Sequence, residues 1–114
     1  MPQSSVARRL AQGEVPTSQT VVYTVGDSAR AILSSISFHN SSGADRLVSM
    51  WIVPNGGSAD SSNKFLETIL SDEESYRESG LGQVLEPGDT IILTEDNGTS
   101  DVAYYLCGAV LTEV

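Results

Sequence analysis

Apolar and polar residues alternate with period two through most of this chain, in short runs separated by turn residues. Thr20 to Val25 is a dense β-branched and aromatic run stopped by Gly26-Asp27, which predicts a strand. From Arg30 to Asn40, Ile32, Ile36 and Phe38 share one parity while Leu33, Ser35, Ser37 and His39 take the other. That pattern predicts a half-buried strand. After the turn cluster at residues 40–45, Arg46 to Val53 is apolar on both parities, as in a strand covered on both faces. A polar loop, Pro54 to Asn63, follows. Lys64 to Leu70 has the length of a strand, although its apolar spacing also fits one helical face. Ser75 to Glu78 reads as a short edge strand, and Glu86-Pro87-Gly88-Asp89 as a type II turn, with Pro second and Gly third. Thr90 to Thr94, a hairpin turn at Asp96-Asn97-Gly98 and a long strand from Asp101 to Thr112 complete the pattern. Seven or eight short strands at this spacing predict an all-β, antiparallel β-sandwich of Ig-like or jelly-roll type.

The first residues differ. Residues 1–18 hold few sizeable aliphatics, chiefly Val6, Leu10 and Val15, and are broken by Pro2, Gly13 and Pro16. A short helix over Ser5 to Gln12 fits, with a serine N-cap and Gly13 beyond the last turn. Charge separates the segment too: residues 1–20 balance at +1 and the other 94 carry −10. The alternatives are a frayed terminus and an N-terminal arm (1–18) preceding a sandwich domain (19–114), and the arm is the expectation. In this reading Val6, Arg8, Arg9, Leu10 and Val15 dock on a neighbouring subunit, the arginines meeting that subunit's carboxylates.

Composition narrows the function. The 114 residues carry 6 Lys+Arg against 15 Asp+Glu, a net charge of −9. Phosphate backbones need clustered cations, so no nucleic-acid partner is expected. No apolar run is long enough to span a membrane, no signal-peptide pattern opens the chain, and no membrane partner is expected. One histidine (His39) and one cysteine (Cys107) are too few for a zinc site. Cys107 is read as structural, no glycine-rich phosphate loop opens a helix, and no cofactor is expected. Asp60, Asn63, Asp72, Glu73 and Glu74 offer hard oxygens for calcium if their loops share one end of the sandwich. Asn40-Ser41-Ser42 and Asn97-Gly98-Thr99 match the glycosylation sequon without a secretory context. Trp51, among Met50, Ile52 and Val53, reads as core before it reads as a sugar platform.

The succession Thr20 to Val25, Arg30 to Leu33, Ser35 to Asn40, Val48 to Pro54 with Gly56-Gly57-Ser58, and Gly82 to Ile91 resembles small β-sandwich virion proteins of tailed bacteriophages. These serve as capsid decoration, head-fibre, or neck and tail accessory modules. The resemblance covers residues 20–112, misses the arm, and rests on structural motifs with no catalytic signature. It implies a non-enzymatic virion protein. That protein would be a homo-oligomer attached to another virion protein, such as the major capsid or a neck or tail protein. The alternative is a tail- or fibre-associated module that binds host-surface carbohydrate.

Overall fold

A computed structural model describes residues 3–96 and 101–113. The described residues form nine strands and no helix: β1 (Gln3–Glu14), β2 (Thr20–Thr24), β3 (Ala29–Asn40), β4 (Arg46–Val53), β5 (Lys64–Leu70), β6 (Ser75–Glu78), β7 (Gln83–Leu85), β8 (Thr90–Glu95) and β9 (Val102–Glu113). One sheet runs β1-β9-β3-β6, with β7 also on β3, and the other β2-β8-β4-β5; every pairing is antiparallel. With β6 and β7 sharing one position, this is the strand order of a jelly roll, which settles the Ig-like alternative. The core between the sheets is built from Leu33, Ile36, Phe38, Val48, Met50, Leu70, Leu85, Ile91, Leu93, Tyr104 and Leu106.

Residues 3–14 correct the expected arm. They are not helical. They form an edge strand paired with β9 from Gln3↔Glu113 to Glu14↔Ala103, with an irregularity between Arg9 and Ala11. Val15, expected on a partner, is fully buried in this chain's own core, and its amide donates to the Val102 carbonyl (2.7 Å). Leu10 packs partly against the same core, whereas Val6, Arg8 and Arg9 are exposed. The segment's few aliphatics suffice because its ladder with β9 satisfies the backbone while Leu10, Ala11 and Val15 supply the core contacts.

A second correction concerns β3. Its buried positions are Ala31 and Leu33, then Ile36 and Phe38, so Ile32 lies on the opposite face. A bulge between Leu33 and Ser35 switches the parity, and such an extra residue is invisible to strict period-two reading. Opposite it sits Gly108, where an added Cβ would collide with the Ile32 carbonyl. The type II turn is present: the Asp89 amide donates to the Glu86 carbonyl (3.0 Å) and Gly88 has φ +83°. The strands flanking the expected turn at Asp96-Asn97-Gly98 belong to different sheets; Asn97 and Gly98 lie outside the described residues, as does the Asn97-Gly98-Thr99 sequon.

Asn40, fully buried at the end of β3, binds two of the connections that cross between sheets. Its Nδ2 reaches the carbonyls of Ala44 (2.7 Å), Leu70 (2.9 Å) and Ser71 (3.1 Å), and its Oδ1 accepts from the Ser42 amide (3.0 Å). Its backbone carbonyl accepts from Glu73 (2.6 Å), whose φ of +60° turns that amide inward. An amide so committed is no glycan acceptor.

Substituting Asn40→Asp replaces a donor with a charge facing three carbonyls. The expected loss is about 3 kcal/mol or more, read as a fall in the urea midpoint with an unchanged slope. Gly108→Ala should cost at least about 2 kcal/mol in the same assay, because backbone and not a flexible side chain blocks the new methyl.

Alkaline stability follows from the tyrosines. Burial lifts the phenol of Tyr104, and that of Tyr23 against an opposing pull from Arg8; burial and the Glu78 carboxylate lift Tyr76. A raised pKa means the folded chain keeps protons the unfolded chain sheds. Stability is therefore unaffected below the ordinary tyrosine value of about 10 and falls as pH rises beyond it. The urea midpoint should drop between about pH 8 and about pH 11, and Tyr104→Phe should shrink that drop.

Candidate functional site: the outer faces of the two sheets

A sandwich buries its inner faces, leaving the outer faces, edges and loops to meet other molecules. On the four-stranded sheet, register aligns Val21, Ile92, Trp51 and Lys64 in one row, and Leu47 with Ile69 in another. Ser49, Thr94 and Glu67 lie between them. Val21 is 49% and Ile69 65% exposed. Trp51 is only 6% exposed, with the Lys64 ammonium 5.4 Å from its ring centre, so it is no open sugar platform. Lys64 also bonds Glu67 (2.8 Å), which holds that carboxyl below its usual range.

The outer face of the five-stranded sheet is polar and hollow. Ser35 and Ser37 of β3 lie opposite Cys107 and Tyr105 of β9, and Ser37 lies opposite Arg77 of β6. Small side chains in adjacent strands leave a trough of about 410 Å3, lined also by Glu78 and Ser79. A smaller pocket of about 120 Å3 shares the lining residues Ser37, Arg77 and Tyr105 with it and is also lined by His39 and Ser75. Tyr105 is 45% exposed, and the Arg9 guanidinium lies 6.0 Å from its ring centre. His39 Nδ1 shares a hydrogen bond with Ser75 Oγ (2.7 Å), and its Nε2 lies 3.5 Å from Glu73. Cys107 and His39 do not meet: their register partners on the facing strands are Ser35 and Ala103. Four residues of strand separate those rows, about 13 Å.

The calcium set does not converge. Asp60 and Asn63 precede β5 while Asp72, Glu73 and Glu74 follow it, some 20 Å away at the other end of the strand. Each group serves its own loop. Asp60 accepts from the hydroxyl and amide of Ser62, which lowers its pKa, and Asn63 Oδ1 accepts from the Asp60 amide. Asp72 accepts from Gly43, and Glu74 from Ser71. Among the described residues no three His, Cys, Asp or Glu side chains are grouped to hold a metal.

Of the five arm residues, the structure brings Arg9 beside the trough, leaves Val6 and Arg8 exposed on the β1 edge, and sends Leu10 and Val15 towards the core. Sequence reasoning missed Arg77, Tyr105, Ser35 and Ser37 as one surface. The available signal was the run of small polar residues on one parity of β3, which marks a face without bulk.

No protein-family model matches this sequence, and comparison with curated proteins finds no match. Solved structures do resemble the fold. A subunit of the disulfide-linked pili of Bacillus endospore appendages superposes with a TM-score of 0.52 at 10% identity, over 99% of this chain and 88% of that one. The tobacco streak virus coat protein gives 0.44 at 13% identity, over 100% of this chain and 89% of that one. A protein of the infectious bursal disease virus Gx strain gives 0.44 at 6% identity, over 96% of this chain and 31% of that one. At such identities the likeness is one of fold.

Proposed function

We propose that this chain is a non-enzymatic structural protein of a bacteriophage virion. In this reading it is a capsid decoration or head/neck accessory subunit that assembles with copies of itself on another virion protein. The observation that carries the reading is the outer face of the four-stranded sheet, where Val21 and Ile69 present apolar surface beside Ile92 and Leu47. Burying such rows against a second copy yields about 25 cal/mol per Å2 before ordering costs. The exposed half of β1, with Val6, Arg8 and Arg9 on an open edge, offers a second contact to a neighbour's carboxylates. The net charge of −9 suits a station on the outer surface or the axis of the particle, away from packed genome. A second reading, a module that binds host-surface carbohydrate, is favoured by the trough on the opposite sheet.

Removing residues 1–18 is no test of assembly, because it deletes β1 and takes the core residue Val15 with it. Paired substitution of Val21→Glu and Ile69→Glu leaves the core intact and charges the docking face. Sedimentation should show the wild-type chain as an oligomer and the variant as a monomer with an unchanged β-type circular dichroism spectrum. Replacing a central apolar anchor on each copy should cost roughly 2 kcal/mol, about thirtyfold in the association constant. A wild-type chain that stays monomeric and binds particles lacking it no better than the variant does would overturn the proposal.

A further inference from the structure

We infer that the trough on the outer face of the five-stranded sheet binds an acidic sugar, a pyranose carrying a ring carboxylate, with Arg77 as the carboxylate anchor. The inference deepens the carbohydrate reading and is independent of the assembly face, which lies on the other sheet.

Three features point to this ligand class. The first is volume: about 410 Å3, adjoining a second pocket across Ser37, Arg77 and Tyr105, falls within the range of small-molecule sites. The hollow is built in by sequence, because Ser35, Ser37 and Cys107 occupy central-strand positions where bulkier residues would fill it.

The second is the allocation of charge. Arg30 is bonded to Glu86 (2.6 Å), Lys64 to Glu67 (2.8 Å), and Arg46 is buried 3.9 Å from Glu95. Arg77 is exposed and makes no hydrogen bond or ion pair among the described residues, in a chain with 15 acids. A free guanidinium at the rim of a polar hollow presents the planar fork that matches a carboxylate. Glu78, the acid lining the trough, accepts the Tyr76 hydroxyl (2.9 Å).

The third is the rest of the lining. The hydroxyls of Ser35, Ser37 and Ser79 supply donors and acceptors suited to a polyhydroxylated ring, and Tyr105 is a half-exposed aromatic beside them. The Arg9 guanidinium near that ring restrains it and adds a second positive charge. An acidic peptide would use the arginines but leave the hydroxyl floor unmatched.

The test is a titration of the isotope-labelled chain, followed by amide chemical shifts, with methyl β-D-glucuronide, methyl β-D-glucoside, inorganic phosphate and a glutamate-containing tripeptide. The glucuronide should shift Ser35, Ser37, Arg77, Tyr105 and Cys107 as one saturable set, with the glucoside at least about tenfold weaker. Arg77→Ala should weaken the glucuronide by about tenfold or more, as expected for loss of one charge-assisted pair. Tyr105→Ala should weaken both sugars while retaining the folded spectrum. Equal binding of the two sugars overturns the acidic class but leaves the carbohydrate reading standing. Phosphate or the tripeptide binding as tightly as the glucuronide overturns the sugar itself, and an absence of shifts with either sugar overturns both.

Discussion

The jelly roll closes through a single buried side-chain amide. Six connections in this topology pass between sheets, and two of them, residues 41–45 and 71–74, converge on Asn40. A carboxamide carries donors and an acceptor on one rigid plane, so it can join loops whose backbone groups point at each other from different strands. Aspartate lacks the donors and leucine lacks both. The same end of the molecule holds the buried Arg46–Glu95 pair, and the Pro16 carbonyl accepts the Glu95 amide (2.9 Å). The N-terminal strand therefore leads straight into the cover over a buried charge pair, where removing one partner is far costlier than the pair's net contribution.

Strand positions were legible wherever local chemistry decides them. Lys64 to Leu70 and Ser75 to Glu78 form strands within the bounds the pattern implies, and Gly88 sits at the positive φ its turn demands. Arg46 to Val53 is buried on both faces because it lies inside its sheet and Lys64 covers Trp51 on the outer side. Besides the expected hairpin between β8 and β9, which lie in different sheets, two features escaped. The β3 bulge shifts parity without leaving a compositional mark. The strand at residues 3–14 has serine, glutamine and arginine where β-branched residues would announce it, since an edge strand open on both faces at Val6 to Arg9 needs little apolar surface. Its arginines and its irregularity after Arg9 are also what keeps a long open edge from pairing indiscriminately.

The site was legible only in part, for a different reason. A trough is made by what side chains lack, and serine, alanine and cysteine on a strand read equally as solvated face or as floor. Only register shows that Ser35 meets Cys107 and that Ser37 lies between Tyr105 and Arg77. The spacing of those residues in the chain, 35 to 107, carries no such information.

The two outer faces divide the chemistry of the chain. The four-stranded sheet shows apolar rows separated by a polar one, with its lysine satisfied by Glu67 and the Trp51 ring. The five-stranded sheet carries the exposed arginines Arg9 and Arg77 around small hydroxyl side chains. Because the faces of a sandwich point in opposite directions, a contact on one leaves the other open. Salt at physiological strength screens charges beyond about 8 Å, so an anion approaching the trough senses chiefly the nearest ones, Arg9 and Arg77 set against Glu78. The proposed assembly through the apolar face would thus leave the arginine- and hydroxyl-lined hollow open on the other side, with the Asn40 corner tying the two sheets into one body.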